Sequence, residues 1–184
     1  MEKMNDQNNK LHPLQKLDGH MNTWTGKKFS ILDPKPDQID IRDIARGLAN
    51  TCHFGGQVES FFSVAQHSVM VYRMVKLSDP DTQLAKVALL HDAAEAYVGD
   101  VIKPLKVLLP EYNKIERNIQ QAIFEKFDLD IDHLPLIKPA DIHIQSQEFD
   151  CFYKKKGKLS FCGPSLAYTI FLDCCSDEKL YKKP

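Results

Sequence analysis

The sequence has no excess of charge of either sign. Twenty-four Lys and Arg stand against 25 Asp and Glu, a formal net charge of −1. A nucleic-acid-binding module normally carries a basic surplus, so nucleic acid is not expected as a partner. No apolar run approaches the roughly 20 residues that cross a bilayer, so no membrane partner is expected. Met1 to Lys10 is polar and Asn-rich and lacks the apolar stretch of a secretory signal. Cysteine is scarce and odd in number: there are five, of which only Cys174 and Cys175 are neighbours, and there is no Cys-x-x-Cys pair. This argues against a disulfide framework and the common structural zinc sites, and points to reduced thiols in a cytoplasmic protein. Strand-like alternation is also missing, apart from a short stretch at Leu159-Ser160-Phe161.

What is present is 184 residues, 43% of them hydrophobic, enough to bury one core. Residues 1–22 read as a polar, flexible tail and 23–184 as a single domain. Thr23 to Pro36, with Gly26, Pro34, Pro36, Trp24 and Phe29, reads as an irregular arm packing its aromatics on the body. The rest is helical, and the expected fold class is all-α. Asp40 opens a helix over Ile41 to Asn50, and Ser60 to Leu77 carries Val64, Val71, Met74 and Val75 on one stripe. Asp79-Pro80-Asp81 starts a helix that the pattern carries to about Tyr97, ending near Gly99. A short apolar piece, Leu105 to Leu109, lies between Pro104 and Pro110. Glu111 to Phe127 is amphipathic, with Ile115, Ile119, Ala122, Ile123 and Phe127 on one face. Helices over Pro135 to Phe152 and Leu166 to Leu172 follow.

Three of these helices place ionisable residues where the period predicts core. Steps of three and four from Leu84, Val87 and Ala88 reach His91 and Glu95, with Asp92 beside them; from Val64 they reach His67, and from Ile137 they reach Asp141. Taken singly, each has a plain reading: a hydrogen-bonded core histidine, a first-turn carboxylate at a helix dipole, a chance His-Asp pair. Together they favour a metal centre, because buried charge is costly unless it is paired or coordinates a cation. Two imidazoles and two carboxylates suit Mn, Co, Fe, Ni or Zn better than Ca.

In their local context these residues resemble the HD-domain metal-dependent phosphohydrolases. Ser63-Val64-Ala65-Gln66-His67-Ser68 is similar to the family's S-V-A-x-H-S segment. The run Leu89-Leu90-His91-Asp92-Ala93-Ala94-Glu95 through Gly99-Asp100 is similar to L-L-H-D-A-x-E-x-x-x-G-D, and Lys138-Pro139-Ala140-Asp141 to K-x-A-D. The resemblance extends from about Thr23 to Phe152 and is nearest to the small bacterial and phage 5′-deoxynucleotidases. It implies an HD-type helical bundle, usually homodimeric, with one divalent ion per subunit (Mn, Co, Fe, Ni, Zn or Mg) held by His67, His91, Asp92 and Asp141. It further implies Glu95 in acid–base or water-orienting work, Asp100 near the sugar or the attacking water, and a (deoxy)nucleotide substrate losing phosphate. A deoxynucleoside triphosphate triphosphohydrolase, and a non-catalytic nucleotide-sensing module, are the alternatives.

One departure stands out. Where this subset often carries Arg-Phe-x-Gly-His, the chain has His53-Phe54-Gly55-Gly56-Gln57. His53 takes the place of an arginine expected to grip phosphate, and imidazole lacks its forked charge. Two readings of His53 stand: a substrate-facing stand-in, or a solvated loop histidine. Arg46, Lys103 and Lys106 are the cations that could compensate, the two lysines reading equally as solvated, and Trp24 either stacks on a base or anchors the arm.

Overall fold

The computed structural model describes residues 19–79 and 82–182. Most of the tail expected over 1–22, and Pro80 and Asp81 of the expected helix start, lie outside the described residues. A two-stranded antiparallel hairpin comes first, β1 (His20–Asn22) and β2 (Lys28–Ser30), pairing Met21 with Phe29. Neither strand was legible in the sequence, and β1 falls within the span read as tail. The hairpin is held from outside: Phe29 is fully buried and stacks on Tyr97 at 4.0 Å, and the backbone N–H and hydroxyl of Thr25 both donate to Asp43. Among the described residues, 159–161 forms no strand.

The body is helical. Helix α1 (Ile41–Asn50) begins at Asp40, whose carboxylate accepts from the Arg42 N–H, and it buries Ile41, Ile44, Ala45, Leu48 and Ala49. Helix α2 (Val64–Ser78) opens with a reciprocal cap. The Ser63 hydroxyl accepts from the Gln66 N–H, and the Ser63 N–H donates to the Gln66 side chain. Next come α3 (Thr82–Leu90), α4 (Glu95–Val98) and α5 (Lys103–Lys106). They are followed by α6 (Pro110–Lys126), α7 (Leu134–Lys154) and α8 (Pro164–Asp177). Proline occupies the first turn of α5, α6, α7 and α8, where its missing N–H costs nothing. Helices α1, α2, α3, α7 and α8 enclose one core that includes Leu48, Val71, Leu89, Ile144 and Phe171.

The expected helix to Tyr97 is broken. It stops at Leu90, and residues 91–94 form tight turns in which the Ala93 and Glu95 N–H groups bond three residues back, to Leu90 and Asp92. The break is spliced from another helix. The Gln120 side chain on α6 donates to the Leu90 carbonyl at 2.7 Å and accepts from the Ala94 N–H at 3.0 Å. A distant side chain inserted into the hydrogen-bond ladder is invisible to helical periodicity.

Helices α1 and α4 touch through Gly47. A Cβ there would lie 2.5 Å from the Ala96 carbonyl oxygen. Gly47→Ala is therefore expected to cost about 1–3 kcal/mol by overpacking and to lower the thermal midpoint by several degrees. Gly163→Ala, where an added Cβ meets nothing within 4 Å, is expected to shift it little. Equal midpoints for the two variants in thermal denaturation would contradict the close approach.

Candidate metal centre

Helices α2 and α7 and the turn after α3 converge on one buried point. His67 is fully buried on α2, among Val64 and Val71 of the same face. Asp141 lies on the buried stripe of α7 with Ile137, Ile144, Glu148 and Phe152. The spliced turn delivers His91 and Asp92. The His67 Nε2 lies 3.2 Å from Asp141 Oδ1 and 3.7 Å from Asp92 Oδ2. The His91 Nε2 lies 3.1 Å from Asp92 Oδ2 and 3.8 Å from Asp141 Oδ1. Both Nε2 atoms are buried without a hydrogen bond. His67, His91 and Asp141 present three ligand atoms within 4.8 Å of one another. Two orphaned imidazole nitrogens facing two carboxylate oxygens are a donor set that fits a divalent ion.

The opposite ring nitrogens are tied down. The His91 Nδ1 donates to the Ala88 carbonyl at 2.8 Å, and the His67 Nδ1 donates to Glu148 Oε1 at 2.9 Å. Each bond fixes the ring orientation that aims Nε2 at the centre, where a cation can displace its proton. Asp141 is steadied in turn by Lys138 and by Gln145 at 2.9 Å.

Residues 57–158, more than half of the chain, match the family model described as HD domain. The chain belongs to the HD-domain family. It is 40% identical over 126 residues to the uncharacterized protein YfdR of Escherichia coli K12, covering 68% of each chain. It is 34% identical over 123 residues to the uncharacterized protein RCAP_rcc00048 of Rhodobacter capsulatus, covering 64% of this chain and 60% of that one. HD domains bind divalent metals, and membership implies a metal-dependent phosphohydrolase.

A cavity of about 660 Å³ opens beside the HD centre, lined by His91, Asp92, Glu95 and Lys106 among others. Trp24, His53, Asp100 and Lys103 are not among its lining residues. Trp24 is 57% exposed and packs over the Arg46 guanidinium, which Tyr168 faces from its other neighbour position, each ring 4.7 Å away. Lys103 is exposed on α5. His53 is buried, which corrects the reading of a solvated loop histidine. Its Nδ1 lies 2.9 Å from Asp100 Oδ2, and its Nε2 lies 3.6 Å from Glu148 Oε2. Burial would lower its pKa, but these two acids outweigh burial and raise it. Asp100 is thus engaged by His53.

Glu148 was missed, although one further step along the stripe of Asp141 and Ile144 reaches it. Its pairing with His67 joins residues 81 apart in sequence.

Glu95 is 5% exposed; its Oε1 accepts from Lys106 Nζ at 3.1 Å and its Oε2 is buried without a partner. Burial, with Asp92 and Asp100 nearby, pushes its pKa up to about 9 against the pull of Lys106. Lys106 also donates to Glu116 at 2.7 Å, so its charge is already shared between two acids. His67 is raised to about 10, because the Asp141 and Glu148 carboxylates outweigh burial. Burial pushes Asp141 upward, but His67, His91 and Lys138 bring it down to about 2.

The raised groups make the metal-free protein pH-sensitive. The stability His67 contributes is complete below 6.5 and is lost as pH rises through 10. Glu95, raised from 4.5 to about 9, acts in the same direction between those values. The thermal midpoint of chelator-stripped protein is therefore expected to fall from pH 5 to pH 9. Saturating Mn(II) or Zn(II) is expected to flatten that fall, since the cation replaces the proton on His67. An identical slope with and without metal would place the ion elsewhere.

Proposed function

We propose that this HD domain hydrolyses a phosphate ester of a nucleotide, releasing orthophosphate from a (deoxy)nucleoside monophosphate with one divalent ion held by His67, His91, Asp92 and Asp141. The observation that carries this reading is the pair of orphaned Nε2 atoms facing Asp92 and Asp141 at the edge of a cavity that also holds Glu95. When bound, a divalent ion there supplies an ionised water near neutral pH and polarises a phosphoryl oxygen.

The chain's own groups do the rest. His67 and Asp141 sit deeper, held by Glu148, Lys138 and Gln145; His91 and Asp92 lie at the cavity wall. Glu95 reaches the same wall from one helical turn beyond His91 without belonging to the donor cluster. Burial raises its pKa, and Lys106 holds Oε1, so that the unpartnered Oε2 is the atom placed to give or take a proton. Across the cavity, Ile131, Leu134 and Pro135 form an apolar wall against which the sugar or base can lie out of water.

The test is turnover by chelator-stripped protein resupplied with Mn, Co, Mg or Zn, against a panel of nucleoside mono- and triphosphates. Orthophosphate from the monophosphates is expected. Tripolyphosphate from a deoxynucleoside triphosphate would assign the chain to triphosphohydrolases instead, and no turnover with any metal would reject the enzymatic reading. Glu95→Gln is expected to lower kcat by roughly 10²–10⁴-fold while metal content, read by elemental analysis, stays at the wild-type value. Loss of the metal with the turnover would make Glu95 a ligand.

A further inference from the structure

The cavity beside the metal centre is bounded on one side by a polar stripe of α6. Asn113, Glu116, Arg117, Gln120 and Gln121 recur at steps of three and four, and all line it. This stripe runs alongside the apolar one of Ile115, Ile119 and Ile123, which enters the core. Most of its members are occupied by the protein itself. Gln120 splices the break before α4, Asn113 donates to the Lys106 carbonyl, and Glu116 takes the Lys106 ammonium. Gln121 donates to Glu125. Arg117 alone of the five makes no hydrogen bond or ion pair among the described residues, and the residue is exposed.

The other cations that the sequence offered for phosphate are spent or elsewhere. His53 is committed to Asp100 and Glu148, Lys106 to Glu95 and Glu116, while Arg46, packed against Trp24 and Tyr168, and Lys103 lie outside the cavity lining. We propose that Arg117 is the residue that grips the phosphate, taking the part that the missing arginine at position 53 would have played, and that the cavity accepts one terminal phosphate in preference to a polyphosphate chain.

The first half follows from donor geometry. A guanidinium offers two parallel N–H groups to two phosphate oxygens, leaving a third oxygen for the ion. The second half follows from charge balance. With Lys106 paired to Glu116, and the two charges of the ion matched by Asp92 and Asp141, Arg117 is the one uncompensated Lys or Arg among the lining residues, enough for a single terminal phosphate that also touches the ion. Additional phosphates would find no further free cation and would meet the Asp132 carboxylate on the same wall, with like-charge repulsion. The proposal deepens the nucleotide reading above and rests on it for the substrate class, but the binding step is measurable by itself.

The experiment is calorimetric titration of the metal-loaded full chain with inorganic phosphate, and separately with tripolyphosphate supplied as its magnesium complex. Arg117→Ala is expected to weaken phosphate binding roughly 10- to 100-fold, the worth of a charge-assisted contact. Arg117→Lys, keeping the charge but losing the fork, is expected to fall between. Lys114→Ala removes one positive charge from the same helix away from the cavity and is expected to bind as wild type. Metal content and the thermal midpoint are expected to be unchanged in all three, since Arg117 and Lys114 are exposed.

Wild-type phosphate affinity in Arg117→Ala, or an equal loss in Lys114→Ala, would overturn the grip. Tighter binding of tripolyphosphate than of phosphate to the wild type would overturn the preference. Arg117-dependent phosphate binding in a protein that hydrolyses no ester would reject the enzymatic reading and leave this one standing. Hydrolysis indifferent to Arg117 would do the reverse.

Discussion

The fold is organised around an electrostatic debt at its centre. Two imidazoles and two carboxylates are brought within 3.1–3.8 Å of one another in a place shielded from water. Without a cation, the imidazole nitrogens that face the carboxylates lack hydrogen bonds, and the buried negative charge must be met by holding protons at costly sites. In the proposed reading, one divalent ion would satisfy all four groups at once. The surrounding structure serves that geometry: each ring is anchored at Nδ1 so that Nε2 points inward, and Asp141 is held on both oxygens. Behind His67 the anchoring continues through Glu148 to His53 and Asp100, a chain of alternating acid and imidazole.

The helix gives way to tight turns after Leu90, just where the ionisable residues begin. In a continuous helix, at 100° per residue, Glu95 would lie only about 40° around the axis from His91, with Asp92 about 100° from His91. Tightening the backbone through residues 91–94 keeps all three at the edge of one cavity. The polar backbone groups freed by the break are buried and need partners, and Gln120 supplies both. On the other side, α1 can press against α4 because position 47 has no side chain. A break, a splice and a glycine contact together hold Glu95 where its carboxyl is shielded enough to keep a proton.

Charge in this protein is therefore partitioned by place. The near-zero total conceals a core rich in acid, a lysine spent between two carboxylates, and a histidine that stands where relatives of the resemblance often carry arginine and is absorbed into the support of the metal centre. The cationic side chain that lines the cavity without a partner among the described residues comes from α6, whose other stripe is apolar and enters the core.

Whatever depends on neighbours within a helical turn or two could be read in advance. Asp40 as a cap placed α1 at Ile41, and steps of three and four put His67 and Asp141 on inward faces, because the 3.6-residue period links sequence spacing directly to direction in space. The all-α class followed from the same periodicity. What could not be read joins segments far apart in the chain. His53 meets Asp100 across 47 residues, Gln120 meets Leu90 across 30, and His67 meets Glu148 across 81. The hairpin at 20–30 likewise owes its form to Phe29 on Tyr97 and Thr25 on Asp43. Local spacing says which way a side chain points. Only packing says what it meets there, because burial and partner, not residue type, set whether a histidine is a ligand, a support or a solvated base.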